Sequence, residues 1–179
     1  SDLAFTMHML YHLSETGTCA IVEFPGVLYR GGAEKKIREY LIKNNFVDTV
    51  IQLPANLFFG VGIATCIIVI KKNKKDNNIL FVDASEEYEK KGDKNKLEDE
   101  NQNRIVNAYK ERKEEQYFSK LVSNDEVLAN GANLSVSSYV EKEDKREVID
   151  IVKLNEEIQT LQAEIFTLHT EIANKIASL

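Results

Sequence analysis

The first 85 residues alternate short apolar runs with polar segments in a way that predicts an α/β fold. Residues 4–13 and 34–44 place their apolar side chains mostly at helical spacing, whereas residues 18–24 form a short run typical of a buried strand. Three more runs of the strand type follow, at residues 50–53, 64–70 and 78–83. This order predicts a mostly parallel sheet covered by helices and ending in an antiparallel hairpin.

The pattern becomes densely charged from residue 85 onwards. Residues 85–103 are interpreted as a solvated loop, and residues 100–115 as a helix because their apolar side chains fall on one side. Residues 118–139 indicate irregular or short-strand structure, and residues 141–150 a charged link. The domains predicted from these changes are residues 1–85, 86–146 and 147–179.

The last segment has the strongest periodicity in the chain. Its apolar residues alternate spacings of three and four, without Gly or Pro, at Ile151, Leu154, Ile158, Leu161, Ile165, Leu168 and Ile172. Such a seam of a and d positions predicts a long helix of the coiled-coil type that packs against a partner. The alternative is a helix that folds back onto the chain's own domain.

Composition and charge exclude several classes of protein. The chain is 43% hydrophobic and 29% charged, with a net charge of −6, so it lacks the basic footprint of a protein that grips DNA by charge alone. No apolar run approaches the roughly 20 residues of a membrane span, and no signal-peptide pattern is visible, which favours a cytoplasmic location. Cys19 and Cys66 lie in apolar runs and are expected to be buried free thiols. The three scattered His have no metal-ligand spacing.

Two groups of charged residues have ordinary interpretations. Glu34 and Arg38 are spaced as an i,i+4 pair at the start of the second predicted helix. Lys72 and Lys74 follow a predicted strand. Lysines in this position usually form a solvated strand end, and the alternative is that these two contact phosphates.

The loop between the strands at 50–53 and 64–70 is unusual because it carries Phe58 and Phe59, where polar residues are the norm. Such aromatic residues either fold back into the core, as we expect for at least one of them, or stack on a flat ligand such as a base extruded from DNA. Residues 58–62 also fit Phe-x-Gly-x-Gly, a pattern used where S-adenosylmethionine binds. We reject that interpretation, because a nucleotide-binding glycine turn should leave a strand and open a helix, and this one runs into a strand.

No complete active site is visible in the sequence. Pro25 and Pro54 are its two prolines, so there is no Pro-Pro pair. Neither a Ser–His–Asp set, a Cys–His pair nor a pair of carboxylates stands out.

Several short motifs nevertheless occur in a specific order between residues 4 and 139. They are Gly26-Val-Leu-Tyr-Arg-Gly-Gly-Ala-Glu34, Val50-Ile-Gln-Leu-Pro-Ala-Asn-Leu-Phe58, Gly62-Ile-Ala-Thr65, Phe81-Val-Asp-Ala-Ser85, Asn95-Lys-Leu97, Ile105-Val-x-Ala-Tyr109 and Asn133-Leu-Ser-Val136 before Tyr139. In this order they resemble the C-terminal part of the modification (M) subunit of type I restriction-modification systems. Such M subunits are S-adenosylmethionine-dependent DNA adenine-N6 methyltransferases.

The resemblance implies a particular division of the fold. Residues 1–85 would be the C-terminal half of a Rossmann-like methyltransferase sheet, residues 86–146 a charged, mixed extension, and residues 147–179 a helix for docking on another subunit. The methyl-donor motif and the Asn-Pro-Pro-Phe catalytic motif of the family would precede Ser1. The chain would then be a fragment, with no catalytic or cofactor-binding residues of its own and inactive in isolation.

The resemblance also implies roles for the loop and the helix. An aromatic side chain on a loop after a late strand helps such enzymes to seat the flipped adenine, so this role falls to Phe58 or Phe59, with Pro54 and Asn56 shaping the loop. The implied partners are the specificity subunit, docked on the heptad seam, the restriction subunit, and double-stranded DNA through the complex. Self-association through the helix is a further expectation.

A second hypothesis is a non-catalytic interaction module that assembles through its C-terminal helix. The loop discriminates between the two. An open aromatic face beside an incomplete sheet edge favours the methyltransferase, whereas a Phe pair packed under its own sheet favours the interaction module.

Overall fold

A computed structural model describes residues 2–143 and 150–177 of the chain. The chain divides into two units, Ser1–Glu143 and Asp144–Leu179. The described helices of the first unit are α1 (Asp2–His12), α2 (Ala33–Lys43), α3 (Asp99–Glu111) and α4 (Asn124–Ala129). Its described strands are β1 (Thr18–Glu23), β2 (Val47–Gln52), β3 (Cys66–Lys71), β4 (Asn78–Asp83), β5 (Glu89–Lys91), β6 (Lys94–Lys96) and β7 (Ser119–Ser123).

Five of these strands form one sheet in the order β1-β3-β2-β4-β7. β3 is antiparallel to both β1 and β2, β4 is parallel to β2, and β7 is antiparallel to β4. The prediction of a mostly parallel sheet is therefore wrong, since β2–β4 is the one parallel pair among the described strands. The physical reason is that the loop after β2 returns the chain directly, so that β3 inserts between β1 and β2, whereas a parallel neighbour would need a crossover.

Three strands of the sheet, β1, β2 and β4, run in the same direction although only β2 and β4 are paired with each other. Because β3 is antiparallel to β1 and to β2, those two strands run in the same direction, and β4 runs with them. The carboxyl ends of β1, β2 and β4 therefore lie at the same end of the sheet. An antiparallel hairpin is present, formed by β2 and β3, but it does not end the sheet, because β4 and β7 extend it beyond β2.

The sheet has an apolar core on each face. β2 and β4 are buried almost throughout, as strands covered on both faces should be. One cluster contains side chains from α1, α2 and α4, such as Leu3, Leu41 and Val127. The other contains Ile105 of α3 and Phe118. Both thiols, Cys19 and Cys66, are buried and free, as predicted.

The segment from residue 85 onwards is more regular than its charge indicates. The interpretation of residues 85–103 as a solvated loop is wrong, because β5 and β6 form a hairpin and α3 begins at Asp99. The missed signal is Gly92-Asp93, a two-residue turn with Gly92 at a φ of +62°. Residues 118–139 are also more ordered than predicted. They contain β7, α4 and a 3-10 helix at Val136–Ser138, and they contribute Val136 and Tyr139 to the first core cluster.

The second unit contains α5, a helix of 27 residues from Ile151 to Ala177. It begins where the Asp150 carboxylate accepts hydrogen bonds from the backbone N–H groups of Val152 and Lys153. The predicted long helix is therefore confirmed. Most of the charged link predicted at 141–150 lies outside the described residues. No helix in the described part of the chain is both long and apolar enough to cross a bilayer.

Candidate functional site

The carboxyl ends of β1 and β2 carry the residues singled out by the sequence. In open α/β sheets, ligands bind beyond the carboxyl ends of the parallel strands, where the loops diverge. Here Phe24 follows β1, and the loop at residues 53–65 follows β2. We call the latter the aromatic loop.

The aromatic loop has a defined conformation. The Leu53 N–H donates to the Thr65 carbonyl at 2.8 Å, which closes its base. Pro54 is buried at the start of the loop. Asn56 and Gly60 both adopt positive φ values, +54° and +71°, and such turns favour Asn and Gly. Beyond Gly62 the chain enters β3 and not a helix, so these glycines do not form the strand-to-helix turn that would hold a nucleotide cofactor.

The β5–β6 hairpin supports the aromatic loop. The Asn95 side-chain amide donates to the Ala55 carbonyl at 2.8 Å, and the Asn95 backbone N–H donates to the Asn56 carbonyl at 3.1 Å. The Lys94 ammonium reaches the Phe58 carbonyl at 3.4 Å. The sequence pattern assigned no role to Asn95, although Asn95 begins one of the motifs shared with the family.

Neither aromatic residue of the loop is buried. Phe58 is 39% exposed and Phe59 is 96% exposed. The expectation that at least one of them lies in the core is therefore wrong. The neighbouring Leu57 packs against the second core cluster instead, and this contact leaves both Phe side chains on the outer side of the loop.

A cavity of about 450 Å³ lies between α1, the end of β1 and the aromatic loop. Phe5, Phe24 and Phe58 line it together with Glu23 and Thr65. Of the four loop residues predicted to form a base pocket, Phe58 lines this cavity; Phe59, Pro54 and Asn56 do not.

Two polar side chains in the cavity wall are buried. Glu23 is 9% exposed, and its Oε1 accepts a hydrogen bond of 3.3 Å from the Thr6 hydroxyl. Burial raises the pKa of Glu23; the Thr6 hydrogen bond opposes this effect, and the negative charges of Asp2 and Glu34 add to it. Thr65 is 4% exposed, and its hydroxyl has no hydrogen-bond partner among the described residues.

The sheet is open beside this cavity. β1 pairs with β3 on one side and is the edge strand of the described sheet on the other. Val22 and Phe24, at the end of this edge, are exposed. The geometry is thus an exposed aromatic face beside a strand that has no partner on its outer side among the described strands.

The opposite end of the sheet holds a network of ion pairs. The buried Asp48 carboxylate contacts the Lys71 ammonium at 3.2 Å and the Arg112 guanidinium at 3.1 Å. The Lys74 ammonium donates to the Val47 carbonyl at 2.8 Å, and burial lowers the pKa of Lys74 to about 8. Lys74 is therefore not the solvated strand end that the sequence indicated, and Lys72 pairs with Glu15 at 3.6 Å.

The heptad seam of α5 is exposed along its whole length. The exposed fractions of its seven residues lie between 44% and 70%. These residues share one face of the helix, since their spacing alternates between three and four.

Comparison with known proteins finds one family and several relatives. Residues 1–148 match the family described as N-6 DNA Methylase. The methylase subunit of type I restriction enzyme MpnII from Mycoplasma pneumoniae is 43% identical over 180 residues, which cover 100% of this chain and 33% of that subunit. The MjaVIII methylase subunit from Methanocaldococcus jannaschii is 37% identical over 92% of this chain and 29% of that subunit.

A solved structure agrees with these relatives. The methyltransferase subunit of a type I restriction-modification system from Streptococcus thermophilus has a TM-score of 0.76 and 42% identity, covering 78% of this chain and 30% of that one. The chain spans about a third of the length of the curated relatives it matches.

Proposed function

The chain belongs to the N-6 DNA Methylase family, and from this premise we propose that it is the part of a type I modification subunit that seats the target adenine and docks on the specificity subunit. The reaction proposed for the whole subunit is methyl transfer from S-adenosylmethionine to adenine N6 in DNA. The names of two relatives, both methylase subunits of type I restriction enzymes, support this assignment. We assign the methyl donor to the rest of the subunit, because the glycines of the aromatic loop do not fit a nucleotide turn.

The sheet is proposed to continue across β1 in the whole subunit. An edge strand exposes a row of unpaired N–H and C=O groups that can pair with a further strand. Here the edge is flanked by the exposed apolar side chains of Phe5, Val22 and Phe24. Residues 1–85 would then form the C-terminal half of a Rossmann-like methyltransferase sheet, and the cavity beside Phe58 would lie at the junction with the remainder.

The exposure of Phe58 in the wall of this cavity is the observation that carries the proposal. An enzyme that modifies a base extrudes it from the duplex and holds it between aromatic or apolar side chains. Phe58 is favoured over Phe59 for this contact, because Phe58 lines the cavity while Phe59 is almost fully exposed. Pro54 and Asn56 are proposed to set the course of the loop, one by burial and the other by its positive φ.

Alanine variants of the whole subunit, assayed for adenine methylation with the specificity subunit present, test this role. We expect Phe58→Ala to lower kcat/KM about tenfold or more, since a base stacked on an aromatic ring is worth roughly 1–3 kcal/mol. Phe59→Ala should have a smaller effect. Tyr40→Ala is the matched control, because Tyr40 is an exposed aromatic residue on α2. Equal rates for Phe58→Ala and Tyr40→Ala would contradict a base-seating role.

The exposed seam of α5 supports the proposed docking on the specificity subunit. Contiguous exposed apolar surface of this kind marks an interaction site, and a heptad seam fits a helical partner. The restriction subunit and double-stranded DNA are proposed partners of the assembled complex. The net charge of −6 is compatible with this arrangement if other subunits supply most of the phosphate contacts.

A pair of α5 variants tests the docking. Leu161→Asp places a charge on the seam, whereas Ala163→Asp places the same charge at an exposed position two residues away and off the seam. Copurification with the specificity subunit should be lost for Leu161→Asp and kept for Ala163→Asp. If assembly depends on Leu161 while the Phe58 and Phe59 variants methylate normally, the chain acts as a non-catalytic interaction module.

A further inference from the structure

Glu23 and Thr65 share the cavity with Phe58, and the proposed function gives them no task. We propose that the cavity receives the edge of the extruded adenine ring, and that the Glu23 carboxyl recognises this edge by hydrogen bonds, with the Thr65 hydroxyl as a second polar contact. This inference rests on the proposed function, because it concerns the same cavity.

The volume and lining of the cavity suit a small, mostly apolar ligand. Its volume of about 450 Å³ falls within the range of roughly 300–1,000 Å³ of small-molecule sites. Its aromatic walls come from three separate parts of the fold: Phe5 from α1, Phe24 from the end of β1, and Phe58 from the aromatic loop. Few polar groups among apolar walls are the usual means by which such a site orients its ligand.

The Glu23 carboxyl matches the hydrogen-bonding edge of adenine. Among the described residues, Thr6 is its one hydrogen-bond donor and contacts Oε1, which leaves Oε2 for a ligand. An ionised carboxylate accepts hydrogen bonds from a donor such as the adenine amino group, and the protonated form has both a donor and an acceptor; burial shifts the pKa of Glu23 toward the protonated form. Adenine presents its N6 amino donor beside the N7 acceptor, whereas guanine presents two acceptors there. The Glu23 carboxyl could form the same two hydrogen bonds with the N6 amino group and N1 of adenine, because N1 is also an acceptor next to the amino group.

Thr65 supplies an independent observation. A buried hydroxyl without a partner is uncommon in folded proteins. Thr65 lines the cavity while its hydroxyl is buried and unpaired. Rotation about its Cα–Cβ bond changes the direction of the hydroxyl, and a polar ligand edge in the cavity would offer it a partner.

The test uses the whole methylase subunit with its specificity subunit, and duplexes whose target base is adenine, 7-deazaadenine or 1-deazaadenine. Glu23→Met keeps the length of the side chain but has neither donor nor strong acceptor, whereas Glu23→Gln keeps both. We expect Glu23→Met to lower kcat/KM on adenine about tenfold, in line with the loss of a bidentate base contact, and Glu23→Gln to stay within about threefold. On one of the two deaza analogues, the penalty of Glu23→Met should disappear, because the wild-type protein has already lost the same contact.

A penalty of Glu23→Met that is equal on all three bases would overturn the proposal, since Glu23 would then act only through its bond with Thr6.

Thr65→Val provides a second measurement that does not depend on the folding of Glu23→Met. It should leave the melting temperature unchanged or raise it, and lower kcat/KM on adenine about threefold or more. Thr49→Val is the control for loss of a buried hydroxyl outside the cavity. Because the Thr49 hydroxyl donates to the Asp48 carboxylate at 2.9 Å, this variant should lower the melting temperature but leave kcat/KM unchanged. Full activity of Thr65→Val would count against the proposal.

Binding of the methyl donor is measured separately from recognition of the target base, because S-adenosylmethionine also contains adenine. Calorimetry with S-adenosylmethionine should give the same affinity for wild type and Glu23→Met. A loss of cofactor affinity with unchanged base preference would assign the cavity to the donor and overturn the proposal. A wild-type complex that methylates adenine in no duplex refutes the proposed function itself, whereas normal methylation with no effect at Glu23 refutes only the role of Glu23.

Discussion

The Asn95 side-chain amide donates a 2.8 Å hydrogen bond to the Ala55 carbonyl and thereby joins the β5–β6 hairpin to the aromatic loop. The two residues are far apart in sequence and lie in segments whose composition indicates loops. Their contact gives the loop that carries Phe58 a fixed support outside the main sheet.

Asn95→Ala should therefore loosen the aromatic loop while leaving the fold intact. The variant removes one hydrogen bond, worth about 1 kcal/mol, and leaves the Ala55 carbonyl without this donor. We expect faster amide hydrogen exchange within residues 53–65 and little change elsewhere. Asn107→Ala, at an exposed position on α3, serves as the control. Unchanged exchange in the loop of Asn95→Ala would mean that the hairpin does not restrain it.

Arg38 holds together parts of the fold that are distant in sequence. Its side chain is buried and donates 2.8 Å hydrogen bonds to the carbonyls of Val27 and Ala132. The two bonds come from Nε and Nη1, and Lys carries its donors on one nitrogen that cannot occupy both positions. Arg38→Lys should therefore lower the free energy of unfolding by about 3 kcal/mol. Urea titration measures this difference. Lys36→Ala, on the exposed side of α2, should stay within about 0.5 kcal/mol, and an equally small effect of Arg38→Lys would refute the prediction.

Lys74 should make stability depend on pH in the alkaline range. Its pKa in the folded protein is about 8, below the ordinary 10.5, mainly because of burial; Asp76 and Asp48 oppose this shift, and Arg112 and Lys71 add to it. Between pH 8 and 10.5 the unfolded chain therefore binds more protons at Lys74 than the folded one does. The contribution of Lys74 to the free energy of unfolding consequently rises with pH across this window.

Lys74→Met removes this rise. The free energy of unfolding of Lys74→Met relative to wild type should fall between pH 7 and pH 10, as followed by urea titration at several pH values. Lys75→Met removes an exposed lysine next to it and should show no such trend. A constant difference between Lys74→Met and wild type would show that Lys74 keeps an ordinary pKa.

The 179-residue chain alone is expected neither to bind S-adenosylmethionine nor to methylate DNA. Its sequence contains no Pro-Pro pair, and the glycines of the aromatic loop lead into β3. Isothermal titration calorimetry should therefore give no heat of binding at micromolar cofactor. Binding in that range would contradict both the expected inactivity of the chain and the rejection of residues 58–62 as a cofactor turn.

Local patterns predicted most of the elements and the family. The helices α1, α2 and α5 and the strand β4 follow their apolar spacing closely, and the family resemblance is confirmed. The predicted strand pairing was wrong because periodicity identifies a strand but not its neighbour, and three apolar strands in succession fit several sheet orders. The role of Arg38 was missed for a similar reason: the i,i+4 spacing with Glu34 is visible in sequence, whereas the carbonyls of Val27 and Ala132 are brought to it by the tertiary fold.

The sequence predicted only the part of the candidate site that lies within one continuous segment, the aromatic loop. Phe58 stands out as an aromatic residue in a loop, but Glu23 and Thr65 look like ordinary strand residues. They become candidates because β1 and β3 pair with Glu23 opposite Cys66, which brings Thr65 to the same end of the sheet. Burial then raises the pKa of Glu23 and isolates the Thr65 hydroxyl, and neither effect has a signature in sequence.

The position of β3 between β1 and β2 has a consequence for how this segment acquires its structure during translation. The strands β1 and β2 leave the ribosome before β3, which lies between them in the sheet. β1 therefore has no sheet partner among the described strands until residues 66–71 are synthesised. In that interval its apolar side chains are open to wrong pairings. Nascent chains of this 179-residue segment alone, arrested before residue 66, should accordingly be protease-sensitive at β1, and chains arrested well beyond residue 71 should be protected there.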